Sequence, residues 1–470
     1  MDADPTRTDV PACLGCAERD GRIARLERHN AQLESRVEQL ERRLEELSRS
    51  GKRQAAPFSR QSPKADPKRP GRKGGGDYGT QAFRAAPPVI DEVHEAPLPE
   101  RCPRCGGPVA LSHIDHQYQV EIPRRPIHRR FDVAVGRCDC CDRRVQGRHP
   151  LQTSDALGCC ASQVGPEARA AVVTLNKELG LSHGKIARFF RAFFGIKLTR
   201  GGSCQAMLRA ADRCAGNYRA IARHVRQSPS VVPDETGWRV GGRPAWLHVA
   251  VADGAVAYLV SRRRGFEASG LLIGGNYAGK LVHDGWAGYD RFRVATHQTC
   301  LAHLLRRCHE LLEAAAGGAV AFPRKVKALL QESLEARDLR DAGEMTARAA
   351  MARADDLQGR MTSLVTPAKT HPANERFRRH LLRHVGQLFA FLRHEGIDAT
   401  NYRAEQAIRP AVVNRKVWGG NRTEAGAAAQ SILMTVMFTA LKRGRDTMEF
   451  LSQVLRTPPD HRPLLLPDGG

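Results

Sequence analysis

Two kinds of hydrophobic spacing divide the chain. From Ile23 to Leu47 apolar residues recur at alternating steps of three and four (Ile23, Leu26, Leu33, Val37, Leu40, Leu44, Leu47), with Asn30 in the gap. This is a heptad seam. Ile23, Asn30, Val37 and Leu44 at a, with leucines at d, favour a parallel two-stranded coiled coil whose register Asn30 fixes. Across that seam Arg22 meets Glu27, His29 meets Glu34 and Arg36 meets Glu41, opposite charges that predict a homodimer. The alternative is one amphipathic helix folded back on its own chain. After it the periodicity collapses into Pro, Gly and basic residues, Lys64, Lys68, Arg69, Arg72 and Lys73 among them, a composition that predicts a disordered linker.

Further on, Tyr118–Ile122 and Phe131–Val135 read as strands. Pro166 to Arg223 reads as helix broken at Gly180 and Gly195, with Thr199 placed to cap a helix beginning at Arg200. This is a candidate helix-turn-helix, although helical hairpins that touch no DNA share the pattern. The texture changes at Ser230. Val231-Val232-Pro233 leads into Asp234, Ala245–Ala252 and Ala255–Val260 form a hairpin turning at Asp253-Gly254, and Phe266–Ile273 reads as helix. A further strand runs from Gly279 into Asp284. A long helix-forming stretch rich in Ala, Leu and Arg follows, and Ala425–Leu441 reads as an apolar helix covering the end of the core.

Composition narrows the partners. The 470 residues carry 74 Lys and Arg against 50 Asp and Glu, a formal charge of +24 that favours a polyanion, nucleic acid before membrane. The longest apolar stretch, near Ser431 to Leu441, falls short of a bilayer span. Asp2, Asp4, Arg7, Asp9, Glu18 and Arg19 interrupt any apolar signal core, which predicts a cytoplasmic protein. In that reducing setting cysteine pairs hold metal or stay free. Cys13-Leu-Gly-Cys16 stands alone and reads as free thiols. Cys102-Pro-Arg-Cys105 and Cys138-Asp-Cys140-Cys141 together predict a structural zinc site in a ribbon, held by Cys102, Cys105, Cys138 and Cys141, with Cys140 close enough to replace a neighbour.

Asp234 and Asp284, each closing a strand, offer carboxylates of the kind hard divalent cations take. A third acid, Glu405, lies in a segment whose helical spacing puts Asn401, Glu405 and Arg409 on one face. Spacing alone does not single out this trio, because any long chain supplies strand-end aspartates.

The blocks Asp234-Glu-Thr-Gly-Trp238, His283-Asp284-Gly-Trp-Ala-Gly-Tyr289, Cys300-Leu-Ala-His303 and Asn401-Tyr-Arg-Ala-Glu405-Gln-Ala-Ile-Arg-Pro410, in this order, resemble the large transposase subunit of insertion-sequence family sixty-six. The resemblance covers nearly the whole chain. It departs at Leu301, where the family often has Trp, and over Lys416–Gly420, which matches loosely. It implies a DDE catalytic triad on a ribonuclease-H-like core, falling on Asp234, Asp284 and Glu405 rather than on neighbouring Glu235. Cys300 and His303 match a C-x-x-H signature after the second Asp, read as packing and hydrogen-bonding residues near the site in preference to zinc ligands. The expected ions are two magnesium or manganese, about 4 Å apart, across which water and then a DNA 3′-hydroxyl attack in line. Arg200, Arg409, Arg415 and Lys416 are the candidate DNA contacts. Double-stranded DNA, as transposon ends and target, is the expected partner, with small accessory proteins of the same element implied.

The expected architecture is multidomain α/β. Residues 1–50 form the zipper, 51–95 the linker, 96–155 the zinc ribbon and 160–225 a helical DNA-binding segment. Residues 230–425 form the mixed-sheet catalytic core with an all-α insertion at about 305–395, and 426–470 a C-terminal helical element. Val282 should lie on a central strand and Glu405 on a helix packed against the sheet. The rival reading is a non-catalytic end-binding protein or repressor derived from a transposase.

Overall fold

The computed structural model describes residues 22–23, 25–27, 29–37, 39–40, 86–122, 125–158, 163–314, 317–458 and 461–466. The expectations for Cys13 and Cys16, for the basic linker as far as residue 85 and for Leu44 and Leu47 lie outside them. Within the zipper segment the described residues are helical, and Ile23, Leu26, Leu33, Val37 and Leu40 are all about half exposed.

The cysteine-rich segment carries a short antiparallel pair, β1 (Val135–Arg137) and β2 (Arg144–Gln146). Three helices follow: α1 (Pro166–Lys177), α2 (His183–Phe194) and α3 (Arg200–Gln227). Gly195 ends α2 in the left-handed conformation at φ 67°, which glycine reaches without a Cβ clash, and the Thr199 hydroxyl accepts from Gly202 N–H to start α3. The expected turn between two helices is present. However, α3 runs for 28 residues, and its buried stripe through Ala206, Ala210, Cys214, Ile221 and Val225 belongs to the core.

At the centre lies a five-stranded mixed sheet built from β3 (Ser230–Val240), β4 (Arg243–Ala252), β5 (Ala255–Ser261), β6 (Lys280–His283) and β7 (Thr296–Thr299), in the order β5-β4-β3-β6-β7. The first three are antiparallel neighbours joined by tight turns, with Gly254 at φ 62° in the Asp253-Gly254 turn. β6 then crosses over through α4 (Phe266–Ile273) to lie parallel to β3, and β7 lies parallel to β6. Val282 therefore sits on an interior strand.

Both faces are covered. Leu247, Val249 and Val251 of β4 face one apolar cluster and Ala250 and Ala252 the other, the alternation a doubly buried strand requires. The first cluster takes in α5 (Leu301–Ala314), α6 (Ala321–Asp341), α7 (Ala347–Val365), α8 (Pro372–His384), α9 (Ala390–Arg393) and α10 (Tyr402–Trp418), the helix of Glu405. The second contains α1, α3, α4 and, at the chain's end, α12 (Thr447–Arg456).

The helix expected over the end of the core, α11 (Glu424–Lys442), covers a sheet edge instead. β5 is an outer strand, so alternate N–H groups along it have no ladder partner. Ser431, Thr435 and Thr439 supply oxygens: Val260 N donates to Ser431 Oγ at 2.9 Å, Tyr258 N to Thr435 Oγ1 at 2.8 Å and Val256 N to Thr439 Oγ1 at 3.0 Å. The periods match, because four helical residues rise about 6 Å and two strand residues about 6.7 Å. This hydroxyl stripe explains the polar residues inside the apolar segment. Among the described residues α11 is the one helix long and apolar enough to cross a membrane, yet 61% of that window is buried inside the fold, which marks it as a core helix.

Candidate active site

The pleat of β3 decides which of two adjacent acids faces α10. Val232, Trp238 and Val240 lie in the cluster that includes Ala404 and Ile408 of α10, so Asp234 and Thr236, of the same parity, point that way. Glu235 points to the opposite face. The parallel pairing of β3 with β6 aligns Ser230 with Lys280 and Val231 with Leu281. Continued at the same offset, it puts Asp234, midway along β3, level with Asp284, the residue that follows the last of β6, on neighbouring strands whose spacing is about 4.8 Å. Asp284 shares the parity of Val282, which packs in the α10 cluster.

Asp234 is largely buried, and its carboxyl is pushed up to about 7. Burial is the main cause and the negative charges of Glu235, Asp284 and Glu405 add to it, against one stabilising bond from the Glu235 N–H at 2.8 Å. Asp284 Oδ1 accepts from Trp286 N at 2.8 Å. Glu405, half-buried in the first turn of α10, lies 3.4 Å from His303 Nε2. Asn401, at the N-cap of α10, is buried with both its amide atoms unpartnered, as is His303 Nδ1. Among the described residues no three His, Cys, Asp or Glu side chains come close enough together to hold a metal ion, here or at the cysteines.

Glu235 is fully engaged on its own face. Its side chain is 2% exposed, accepts from Arg264 at 2.9 Å and from the Tyr289 hydroxyl at 2.7 Å, and these bonds oppose the upward push of burial. Arg264 in turn lies over the rings of Trp246 and Trp286, at 4.6 and 4.8 Å. Trp286 and Tyr289 belong to the block that begins at His283, so this network ties the loop after Asp284 to the strand of Asp234. The resemblance marked Trp286 and Tyr289 only as motif letters, and Arg264 carried no signal in the sequence beyond a run of three arginines.

The turn after Asp284 is fixed from two sides. Gly285 N donates to His283 Nδ1 at 3.1 Å, which leaves the proton on Nε2 to donate to His297 Nδ1 at 2.9 Å, and His297 Nε2 then donates to Phe292 O. Burial pushes the His283 pKa well down, which keeps the ring neutral. Gly285 has φ +84°, and a Cβ there would lie 2.9 Å from the His380 ring of α8, so α8 closes directly on the loop of Asp284.

The expected DNA contacts differ in their freedom. Arg200 is exposed and crosses α2 where Gly184 leaves room for its guanidinium. Arg409 and Lys416 are exposed on α10. Arg415 is not: it donates to Thr236 Oγ1 at 3.2 Å and to Gly237 O, strapping α10 to β3. Cys300 is buried, with burial raising its thiol pKa, and its N–H donates to His283 O.

The two cysteine pairs fold alike. Cys102 N donates to Gly107 O and Gly106 N to Cys102 O, both at 2.8 Å; Cys138 N donates to Arg143 O and Asp142 N to Cys138 O, both at 2.9 Å. The fourth residue after the leading cysteine is left-handed in each, Gly106 at φ 74° and Asp142 at φ 51°. Backbone N–H groups of the next residues point at the leading sulfur and lower the pKa of Cys102 and of Cys138. In this alignment Cys141 is the counterpart of Cys105, and Cys140 that of Arg104.

The sequence profile described as transposase IS66 family matches residues 161–429. No curated protein matches the chain.

Proposed function

Since the chain belongs to the IS66 transposase family, we propose that it binds the ends of its insertion sequence and catalyses metal-dependent DNA cleavage and strand transfer with Asp234, Asp284 and Glu405. The observation that carries this reading is that the charges of Asp284, just past β6, and of Glu405 on α10 both act on the buried carboxyl of Asp234 on the neighbouring parallel strand β3. The five-stranded mixed sheet, with its antiparallel hairpins on one side and parallel strands on the other, supports a ribonuclease-H-like core.

The donor set suits magnesium or manganese. It consists of oxygens, and Asp234 is a buried carboxyl whose charge has one backbone donor and, among the described residues, no protein cation to balance it. Asp234 and Asp284 would hold the ions and Glu405 would complete the set; bound there, the ions supply Lewis-acid polarisation of a phosphodiester. The chain's own part is positioning. Glu235, Arg264 and Tyr289 hold the Asp284 loop, the His283–His297 pair fixes its turn, and exposed Arg409 and Lys416 meet DNA phosphates beside Glu405. Hydrolysis frees a 3′-hydroxyl at the element's end, and that hydroxyl then attacks target DNA, with no protein-linked intermediate.

The matching turns of the two cysteine pairs support a structural zinc ion on Cys102, Cys105, Cys138 and Cys141, which would draw the two turns together, and four thiolates leave no open position for catalysis. The exposed seam from Ile23 to Leu40 supports a homodimer through the zipper. The test is strand transfer on end-containing DNA with magnesium. Wild type yields joined product and Asp284→Asn yields none; full activity of that variant refutes the catalytic assignment. DNA binding by a wild-type protein that forms no product would favour the non-catalytic end binder.

A further inference from the structure

Between residues 125 and 149 the chain carries seven arginines against three aspartates, in a segment that buries almost nothing. Three of those arginines have acidic partners: Arg130 with Asp132 at 3.1 Å, Arg137 with Asp142 at 2.6 Å and Arg148 with Asp155 at 3.4 Å. Arg125, Arg129, Arg143 and Arg144 are exposed and have no ion pair among the described residues. The register of β1 with β2 sets Arg137 opposite Arg144, a like-charge cross-strand pair that weakens a hairpin. Nor are the arginine stems covering apolar surface, since Val135 and Val145 on the same hairpin are 49% and 57% exposed. Neither stability nor packing accounts for this charge.

The segment also has a shape. Gly147 N donates to Ala134 O at 2.8 Å, extending the pairing one step past the hairpin. The two chains continue as the walls of a groove of about 580 Å³, with Arg129 and Arg130 on one side and Arg148 on the other. Phe131 and His149 meet across it at 5.4 Å between ring centroids.

We propose that this arginine-walled hairpin is a DNA-contact surface separate from the carboxylate site, holding duplex phosphates through Arg129, Arg143, Arg144 and Arg148. Guanidinium groups bond phosphate oxygens in pairs and carry little sequence information, so the surface grips and orients DNA without selecting a sequence. This inference rests on the reading of the chain as a DNA-binding transposase.

The test uses the full chain, comparing wild type with a variant carrying Arg129→Gln, Arg143→Gln, Arg144→Gln and Arg148→Gln. A charge-matched control neutralises Arg324, Lys325, Arg348 and Arg376 in the helical insertion. Fluorescence anisotropy on a duplex, from 50 to 300 mM salt, reads the dependence of log affinity on log salt. Each lost phosphate contact lowers the slope by about 0.9, so the hairpin variant should lose about 3 to 4 in slope and more than tenfold in affinity at 100 mM salt, while the control stays near wild type. Equal slopes in all three proteins, or equal losses in variant and control, overturn the proposal. A measurement on unmutated protein removes dependence on folding of the variant: duplex DNA should slow phenylglyoxal modification of Arg143 and Arg144 at least threefold, and no protection overturns the proposal. Vesicles of anionic lipid and single-stranded RNA serve as rival ligands, and a variant that loses either of these while keeping duplex affinity also overturns it. Wild-type protein that binds no duplex at all refutes the parent reading instead.

Discussion

Asp234 and Glu235 are neighbours on one strand, and they are treated in opposite ways. Glu235 is buried against a guanidinium and a phenol that together satisfy its charge. Asp234, on the other face, has one backbone N–H and three nearby acids. A buried carboxylate with a full set of protein partners has its charge satisfied within the fold, whereas one left short of positive charge among other carboxylates is the kind the proposed reading assigns to a cation from outside. The single-residue alternation of the strand thus separates a fully paired acid from one left short of positive charge.

The sharpest way to break this contrast is catalytic. Asp234→Asn and Asp284→Asn should each lower strand transfer on the order of a thousandfold or more, since metal ligation supplies several kcal/mol of transition-state stabilisation. Glu235→Gln should retain measurable activity. Equal losses in all three variants would erase the distinction.

Without divalent metal the stability effects reverse. The carboxyl of Asp234 is raised in the fold from 3.8 to about 7, so its contribution is present below the unfolded value and is lost as pH rises through the folded one. Asp234→Asn removes that loss. The variant should therefore gain stability over wild type progressively between pH 4 and pH 7, by at most about 4 kcal/mol, as read by urea unfolding at several pH values. A stability difference that does not change with pH contradicts the burial account. Glu235→Ala should instead destabilise the protein at neutral pH by about 2 to 3 kcal/mol, below the figure for a fully buried pair because the Arg264 side chain is 42% exposed.

The smallest effect lies at the far edge of the sheet. Thr435→Val keeps the side-chain shape but strands the Tyr258 N–H, which should cost about 1 to 2 kcal/mol and speed hydrogen exchange at that amide. Unchanged exchange would show that the hydroxyl stripe along β5 is incidental.

Much of this arrangement was written in local pattern. The Asp253-Gly254 turn, the apolar run into Asp284 and the Gly195 break each follow from a few consecutive residues, and the structure has them where the pattern puts them. What stayed hidden is pairing over distance. Nothing near Asp234 announces that β3 aligns with β6 at an offset that levels two aspartates, and Arg264 finds Glu235 only after two strands have passed. Ser431, Thr435 and Thr439 read as interruptions of an apolar helix because their partners are backbone groups, which no side-chain pattern displays. Arg415 looked like a phosphate ligand for the same reason, since the Gly237 carbonyl it reaches is invisible in sequence. The spacing of Cys138 and Cys141 was legible beforehand, and what the structure adds is that their turn carries the same backbone bonds as the turn of Cys102 and Cys105.

The most direct measurement is the anomalous diffraction of manganese in crystals of the full chain. The account predicts a peak bonded to carboxylate oxygens of both Asp234 and Asp284, with Glu405 turned from His303 toward it. Manganese bound elsewhere, with both aspartates free of metal at millimolar concentration, would contradict it.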